Sequence, residues 1–214
     1  IPPGASPTLD RIRAAKEIRV AFSGDSPPFS AVAPGGEPAG FAIDLCRRVI
    51  AGIARAAGEP DLKTRWIVAS AAGRVDLVAT GKADLDCANT TTTLTRLREA
   101  DFSALVFVDT GGLLVKEGSP VERLAGLQGK RVGVLAGTTT DLRLPAALRQ
   151  QGIAADVVRL NDGVEGVAML ESGSLDAFAA DKVKLAGLAA GARAPRSLRV
   201  LPDDLSYEPQ AFAL

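Results

Sequence analysis

A short module occurs twice in this chain. Val78-Ala79-Thr80-Gly81-Lys82-Ala83-Asp84 and Leu170-Glu171-Ser172-Gly173-Ser174-Leu175-Asp176 both run from an apolar residue through a glycine to an aspartate, and they lie 92 positions apart. Glycine just past a helical pattern is a left-handed stop. Each copy therefore reads as helix, glycine, strand, and each strand leads into a polar loop. The surrounding order is the same in both halves. Before the first copy come a strand at 18–22, a helix at 41–57 with Phe41, Leu45, Val49 and Ile53 at steps of four, and a strand at 65–69. Around it lie a short helix at 74–80, stopped by Gly81, and a strand at 83–87. The second half offers strands at 130–135, 155–160 and 175–179 and helices at 141–150 and 164–171. Alternation of this kind predicts an α/β fold with mostly parallel sheets flanked by helices. Two copies of one plan predict two lobes.

The segment 102–117, apolar with a glycine pair at Gly111-Gly112, suits a hinge strand crossing from one lobe to the other. Residues 206–214 look extended again and would cross back. The expected division is 1–107 for lobe 1, 108–204 for lobe 2 and 205–214 for the second crossing, with a C-terminal portion of lobe 1 absent from this sequence. Ser6-Pro7 reads as a helix N-cap with proline at the first helical position. The Pro-rich residues 1–5 read as a mature or trimmed start.

Composition removes several function classes. Lys plus Arg and Asp plus Glu both number 25, and the basic residues are scattered, which argues against a nucleic-acid surface. The longest fully apolar runs, about five residues, are far short of a membrane span. There is no histidine, so Ser-His-Asp and Cys-His triads and His-containing zinc sites are out. The two cysteines, Cys46 and Cys87, form no CxxC pair; two buried free thiols are expected, with a disulfide as the alternative. One Trp, one Tyr and seven Phe suit a small polar or charged ligand better than a sugar or nucleobase. No nucleotide-binding, hydrolase or metalloprotease motif appears, and no cofactor or metal is expected.

Ligands in open α/β sheets bind beyond the carboxyl ends of the strands. Four segments occupy that place here: 23–30, 89–96, 136–140 and Asp181. The second follows strand 83–87 with Asn89, four threonines at 90–93 and Arg96. Arg96 offers a fork that matches a carboxylate bidentately, or it pairs with Glu99 on the surface. Residues 138–140 offer backbone N–H groups at a helix start, or they form a plain turn and cap. Asp181 would accept from an ammonium, or cap the helix that follows it. Arg74 opens a helix, an unfavourable place for a cation, which hints at a function. Phe29 and Phe41 either wall the cleft or fill the core, and for Phe41 the core is expected. A lone acid such as Asp181 or Glu208 could do acid–base work, although nothing requires it.

These residues carry a resemblance. The pieces at 9–20, Pro28-Phe29-Ser30, 40–45, Gly73-Arg74-Val75, 81–103, 129–139, 170–181 and Glu208-Pro209 resemble, in order and spacing, the family 3 extracellular solute-binding proteins, the periplasmic amino-acid receptors of ABC importers. The glutamate/aspartate-type branch is the most similar. The resemblance implies a two-lobed periplasmic binding protein fold (type II) with two hinge strands, acting as a monomer that delivers its ligand to a membrane permease. It also implies that Arg96, Thr91, Thr138 and Thr139 hold the ligand's α-carboxylate. Asn89 and Asp181 would serve the α-amino group and Arg74 an acidic side chain. Ser23 stands where that branch has another arginine, Ala71 where it has a serine, and Gly163 where it has a histidine. Ser26 stands where many relatives place an aromatic. Head-group recognition is thus retained and side-chain recognition altered. The alternatives on the same fold are the sensory domain of a receptor kinase and a dehydratase of the prephenate/arogenate type.

Overall fold

The computed structural model describes residues 6–214; the proline-rich start at 1–5 lies outside the described residues. In chain order the elements are α1 Pro7–Ala15, β1 Glu17–Phe22, β2 Asp25–Ser26, β3 Ser30–Val32, β4 Pro38–Ala39, α2 Phe41–Ala57, β5 Lys63–Val68, α3 Arg74–Ala79 and β6 Leu85–Asp86. They continue with β7 Phe107–Lys116, β8 Arg131–Leu135, α4 Thr139–Gln150, β9 Asp156–Leu160, α5 Gly163–Ser172, β10 Ala177–Asp181, α6 Lys182–Ala190, β11 Leu198–Val200 and β12 Ser206–Gln210.

The first sheet has the order β5-β1-β6, all parallel. α2 lays Ala42, Ile43, Cys46 and Ile50 into a core with Ile18, Val20 and Phe22 of β1. Ser6 caps α1 as expected, accepting from the Leu9 amide at 3.3 Å. The strand expected at 83–87 narrows to β6, although the Cys87 amide still donates to the Ala21 carbonyl at 2.8 Å. β2, β3 and β4 form a small antiparallel sheet within what reads as loop in the sequence. Phe41 corrects its expectation: it is 47% exposed. It heads α2, with its ring against Phe29 and Phe107 at the rim of the core.

The second sheet is mixed rather than mostly parallel. β8 pairs parallel with β9 and β10, whereas β7 runs antiparallel to β10, β11 and β12. Alternating side chains feed two cores, as strand geometry requires. Leu113, Val115, Val132 and Val134 meet Leu144 and Leu148 of α4 on one face. Leu114 and Phe178 meet Val167, Leu170, Leu185 and Leu188 of α5 and α6 on the other.

The repeated module has a structural basis. Gly81 at φ +66° and Gly173 at φ +80° end their helices in the left-handed region. The aspartate three residues on then grips the neighbouring strand in the same way twice. Asp84 accepts the Arg19 amide at 2.8 Å and returns its own amide to the Arg19 carbonyl at 2.8 Å. Asp176 does the same with Arg131, at 2.9 Å in both directions.

The sheets are joined by β7 and β12. β12 pairs with the first half of β7, from Phe107↔Gln210 to Gly111↔Ser206. The chain then runs back along the first sheet through bridges Thr91↔Gln210 and Asp86↔Ala213, and Phe212 enters the first core. Cys46 of α2 and Cys87 beyond β6 are joined as a disulfide, which corrects the expectation of free thiols. α2 lies across this sheet so closely that the two Cα atoms are 6.0 Å apart, within bonding reach. Among the described residues no helix is long and apolar enough to cross a membrane.

Candidate functional site in the cleft

The threonine run is threaded along the returning C-terminal segment. The Thr92 amide donates to the Pro209 carbonyl at 2.7 Å, and the Thr90 carbonyl accepts from Ala211 at 3.0 Å. Thr90 turns its hydroxyl to Asp86, and Thr91 donates to Glu208 Oε2 at 2.6 Å. Thr139, from the N-terminus of α4, donates to the same Glu208 oxygen at 2.6 Å. One carboxylate of the crossing strand β12 therefore ties both halves. Arg96 does not pair with Glu99. Its Nη1 donates to the Thr91 carbonyl at 2.8 Å, and its Nη2 reaches the Gly137 carbonyl of the other half at 3.5 Å. Burial, and then the nearby Arg74 charge, pulls the Arg96 guanidinium below its ordinary pKa.

Arg74 opens α3 and is buried. Its Nη1 donates to Ser23 Oγ at 2.7 Å and its Nη2 to the Asn89 carbonyl at 3.2 Å, with Nε 3.8 Å from Asp86 Oδ2. This buried acid accounts for a cation at a helix start. Burial pushes the Asp86 carboxyl up, and the Arg74 charge draws it partly back.

Across the cleft, Thr138 is both cap and cleft residue. Its hydroxyl accepts the Asp141 amide at 3.1 Å and donates to the Leu135 carbonyl at 2.7 Å. Gly137, at φ +72°, lies so close to the first half that a Cβ there would sit 2.5 Å from the Ala72 Cβ. Asp181 stands at the N-cap position of α6 but makes no capping bond. Its Oδ2 accepts instead from Asn89 Nδ2 at 2.9 Å and from Gln210 Nε2 at 3.0 Å. Burial first, then the Glu208 and Asp109 charges, raise its pKa to about 7.

These residues enclose a cavity of about 20 Å³ lined by Arg74, Asn89, Thr91, Arg96, Thr138, Thr139, Asp181 and five others. Seven of the nine residues singled out in the sequence thus line one space. Ser23 lies behind Arg74 and lines none of it. Phe29 is also elsewhere. Its ring stacks edge-on against Phe107 at 5.0 Å in the first core, so it supports the first loop without reaching the cavity. The structure adds Lys184 to the lining, places Thr140 of the 138–140 segment there too, and gives Asp181 a second donor in Gln210. A lysine in the first turn of α6, where the dipole disfavours it, was the available signal for Lys184. Asn89 Oδ1 and Thr140 Oγ1 are buried without a partner among the described residues. The lining thus presents guanidinium and ammonium donors, orphaned polar atoms and one titratable acid. Among the described residues no group of three or more His, Cys, Asp or Glu is placed to hold a metal ion.

The model of the bacterial extracellular solute-binding proteins, family 3, matches residues 18–187, most of the chain. The chain belongs to that family. The glutamate/aspartate import solute-binding protein of Salmonella typhimurium is 30% identical over 206 residues, spanning 96% of this chain and 68% of that protein. The L-glutamate/L-aspartate-binding protein of Pseudomonas aeruginosa is 31% identical over 189 residues, covering 88% of this chain and 63% of its own length. A periplasmic binding protein from Brucella ovis, solved with glutathione bound, superposes with a TM-score of 0.87 at 26% identity. That match covers 98% of this chain and 65% of the Brucella protein. The family member thus spans about two thirds of the length of these relatives, and its architecture is that of the two-lobed periplasmic binding proteins.

Proposed function

We propose that this family member is the periplasmic ligand-capturing component of an ABC importer, binding an amino acid or a similar small carboxylate between two closing lobes and delivering it to a membrane permease. The observation that carries the reading is the meeting of Arg96 with the Asn89–Asp181 pair around one cavity. Arg96 takes the α-carboxylate, with Thr91 and the first amides of α4 at Thr138 and Thr139 as further donors. Asp181 and the orphaned Asn89 Oδ1 take the α-ammonium. Arg74 stands toward the ligand's side chain. The lobes are 1–107 and 108–204, and 205–214 is the second crossing.

Binding rather than catalysis is the function. Thr91, Thr139 and Asn89 are already engaged in bonds that cross between the crossing strand and the two halves, as a clamp needs. The names of the relatives, which are import and binding proteins, support the same reading.

A thermal-shift screen against the amino acids and small dicarboxylates tests it. A ligand at 100 times its dissociation constant stabilises by about 2.7 kcal/mol. At least one amino acid is expected to raise the midpoint, to remain chemically unchanged, and to lose its effect on Arg96→Ala. A hit unaffected by that substitution would remove the head-group assignment.

A further inference from the structure

Lys184 is a buried ammonium, 3% exposed, in the first turn of α6 and in the cavity lining. Its position is costly in three ways. Burial opposes the charged form and outweighs the support of the Asp25 charge, the helix N-terminus disfavours a cation, and the Arg74 charge pushes its pKa down further. Its neighbours Leu185 and Leu188 fill the core from the same helix, so packing alone asks for no charge here.

Its bonds leave a donor to spare. Nζ donates to Ser26 Oγ at 2.9 Å and lies 3.3 Å from Asp25 Oδ2. Asp25 Oδ2 also accepts the Gly163 amide at 2.7 Å and so is shared. An ammonium carries three N–H groups, and among the described residues one remains without a protein acceptor. The charges of the lining point the same way. Arg74, Arg96 and Lys184 face one acid, Asp181. The other carboxylates stand behind the lining: Asp86 behind Arg74, Glu208 behind the two threonines, Asp25 behind Lys184. Arg96 and Asp181 together match a zwitterionic head group, so Arg74 and Lys184 are the lining cations whose counter-ions, Asp86 and Asp25, stand outside the cavity.

We propose that Lys184 is a specificity-determining residue that reads a second anionic group on the ligand, a side-chain carboxylate, from the second lobe and opposite Arg74. This rests on the clamp reading above. Because Lys184 and Arg74 come from different halves, the side chain is read only as the lobes close. A rival role for Lys184 is a plain latch to Asp25 across the cleft, and the two roles separate in their ligand dependence.

Isothermal calorimetry on the whole protein, comparing L-glutamate and L-aspartate with L-glutamine and L-asparagine, tests the proposal in Lys184→Gln and Lys184→Arg. Loss of one partner of a buried charge pair is expected to weaken the acidic ligands at least about 30-fold. The amides are expected to change less than threefold in Lys184→Gln, and Lys184→Arg to keep the acidic preference. Equal weakening of all four ligands in Lys184→Gln would overturn the proposal in favour of a latch. Wild-type preference for the amides would overturn it too, while leaving the clamp intact. If no amino acid bound the wild type, the clamp reading would fail and this proposal with it. Unfolding midpoints of both variants confirm that folded protein is compared.

Discussion

Asn89 lies just past β6 and Asp181 ends β10, strands of different sheets, yet Asn89 Nδ2 donates to Asp181 Oδ2 at 2.9 Å across the cleft. The bond links the end of the threonine-loop strand to the start of α6. It also explains why Asp181 leaves α6 without a side-chain cap, since the oxygen that would cap is turned into the cleft. Burial there, and then the nearby Glu208 and Asp109 charges, push the carboxyl up from its ordinary 3.8 to about 7.

The stability consequence follows from the sign of that shift. A carboxyl whose folded pKa is raised holds its proton more tightly when folded, so its contribution is most favourable below the unfolded pKa and declines as pH climbs from about 4 to about 7. Above that it stays flat. Asp181→Asn, which keeps an oxygen to accept from Asn89 and Gln210, is expected to raise the unfolding midpoint at pH 8. The expected change near pH 4 is small. The size is bounded by about 4 kcal/mol at high pH. Unfolding curves at four pH values between 4 and 8 check this. An equal effect at every pH would mean that Asp181 is ionised throughout.

Ligand binding should carry a proton signature from the same group. An ammonium beside Asp181 favours the ionised carboxylate, so the amino-acid complex releases a proton below pH about 7. Affinity for an amino acid is then expected to fall by up to about tenfold per pH unit below that point. Calorimetry at pH 6 in two buffers of different ionisation enthalpy reads the proton count directly. A count of zero would remove Asp181 from the ammonium site.

Much of the fold was legible because local rules and tertiary demands agree. The helix at 41–57 matches α2 residue for residue, although the apolar steps of four only flank the face that is buried: Leu45, Val49 and Ile53 are partly buried beside Ala42, Ile43, Cys46 and Ile50. The glycine–aspartate module was visible as a repeat, and its purpose emerged only with Asp84 and Asp176 gripping Arg19 and Arg131. What stayed hidden depends on partners far along the chain. Lys184 gains its place only when Asp25 and Ser26, nearly 160 positions away, are brought against it. The disulfide was undecidable from a separation of 41 residues, since spacing carries no distance. The antiparallel course of β7 was missed because apolar content marks a strand but not its direction.

Glu208 is expected to hold the two halves in register. Its Oε2 accepts from Thr91 and Thr139 at 2.6 Å each, and Ser206 supplies a third hydroxyl to its other oxygen. Hydrogen bonds to a charged group contribute about 1.5–3 kcal/mol each. Glu208→Ala strands three hydroxyls, so a loss of roughly 3 kcal/mol or more is expected in chemical denaturation, together with faster hydrogen exchange at Thr139 and Thr140. A loss below 1 kcal/mol would make this carboxylate a bystander.

The Cys46–Cys87 bond closes a loop of about 40 residues, which by chain entropy contributes about 4 kcal/mol. For a chain of this size that corresponds to roughly 10 °C in the unfolding midpoint. Cys46→Ala with Cys87→Ala, or reductant added to the unfolded chain, is expected to lower the midpoint by that order. The bond ends two residues before Asn89, so the same change is expected to weaken ligand binding less than Asn89→Ala does.

Gly187 of α6 sets how closely the halves approach. A Cβ there would meet the Pro27 carbonyl oxygen at 2.2 Å and its carbon at 2.5 Å, both backbone atoms of the first loop on the opposite half. Neither can yield as a flexible side chain would. Alanine is the better residue for a helix interior by about 1 kcal/mol, so Gly187→Ala pits the stability of α6 against closure of the cleft. The unfolding midpoint is expected to hold or rise while affinity for the ligand falls at least tenfold. Small-angle scattering at saturating ligand should give a larger radius of gyration than wild type. A variant that binds and compacts like wild type would mean that the first loop moves aside on closure, and that the Pro27–Gly187 contact places no limit on it.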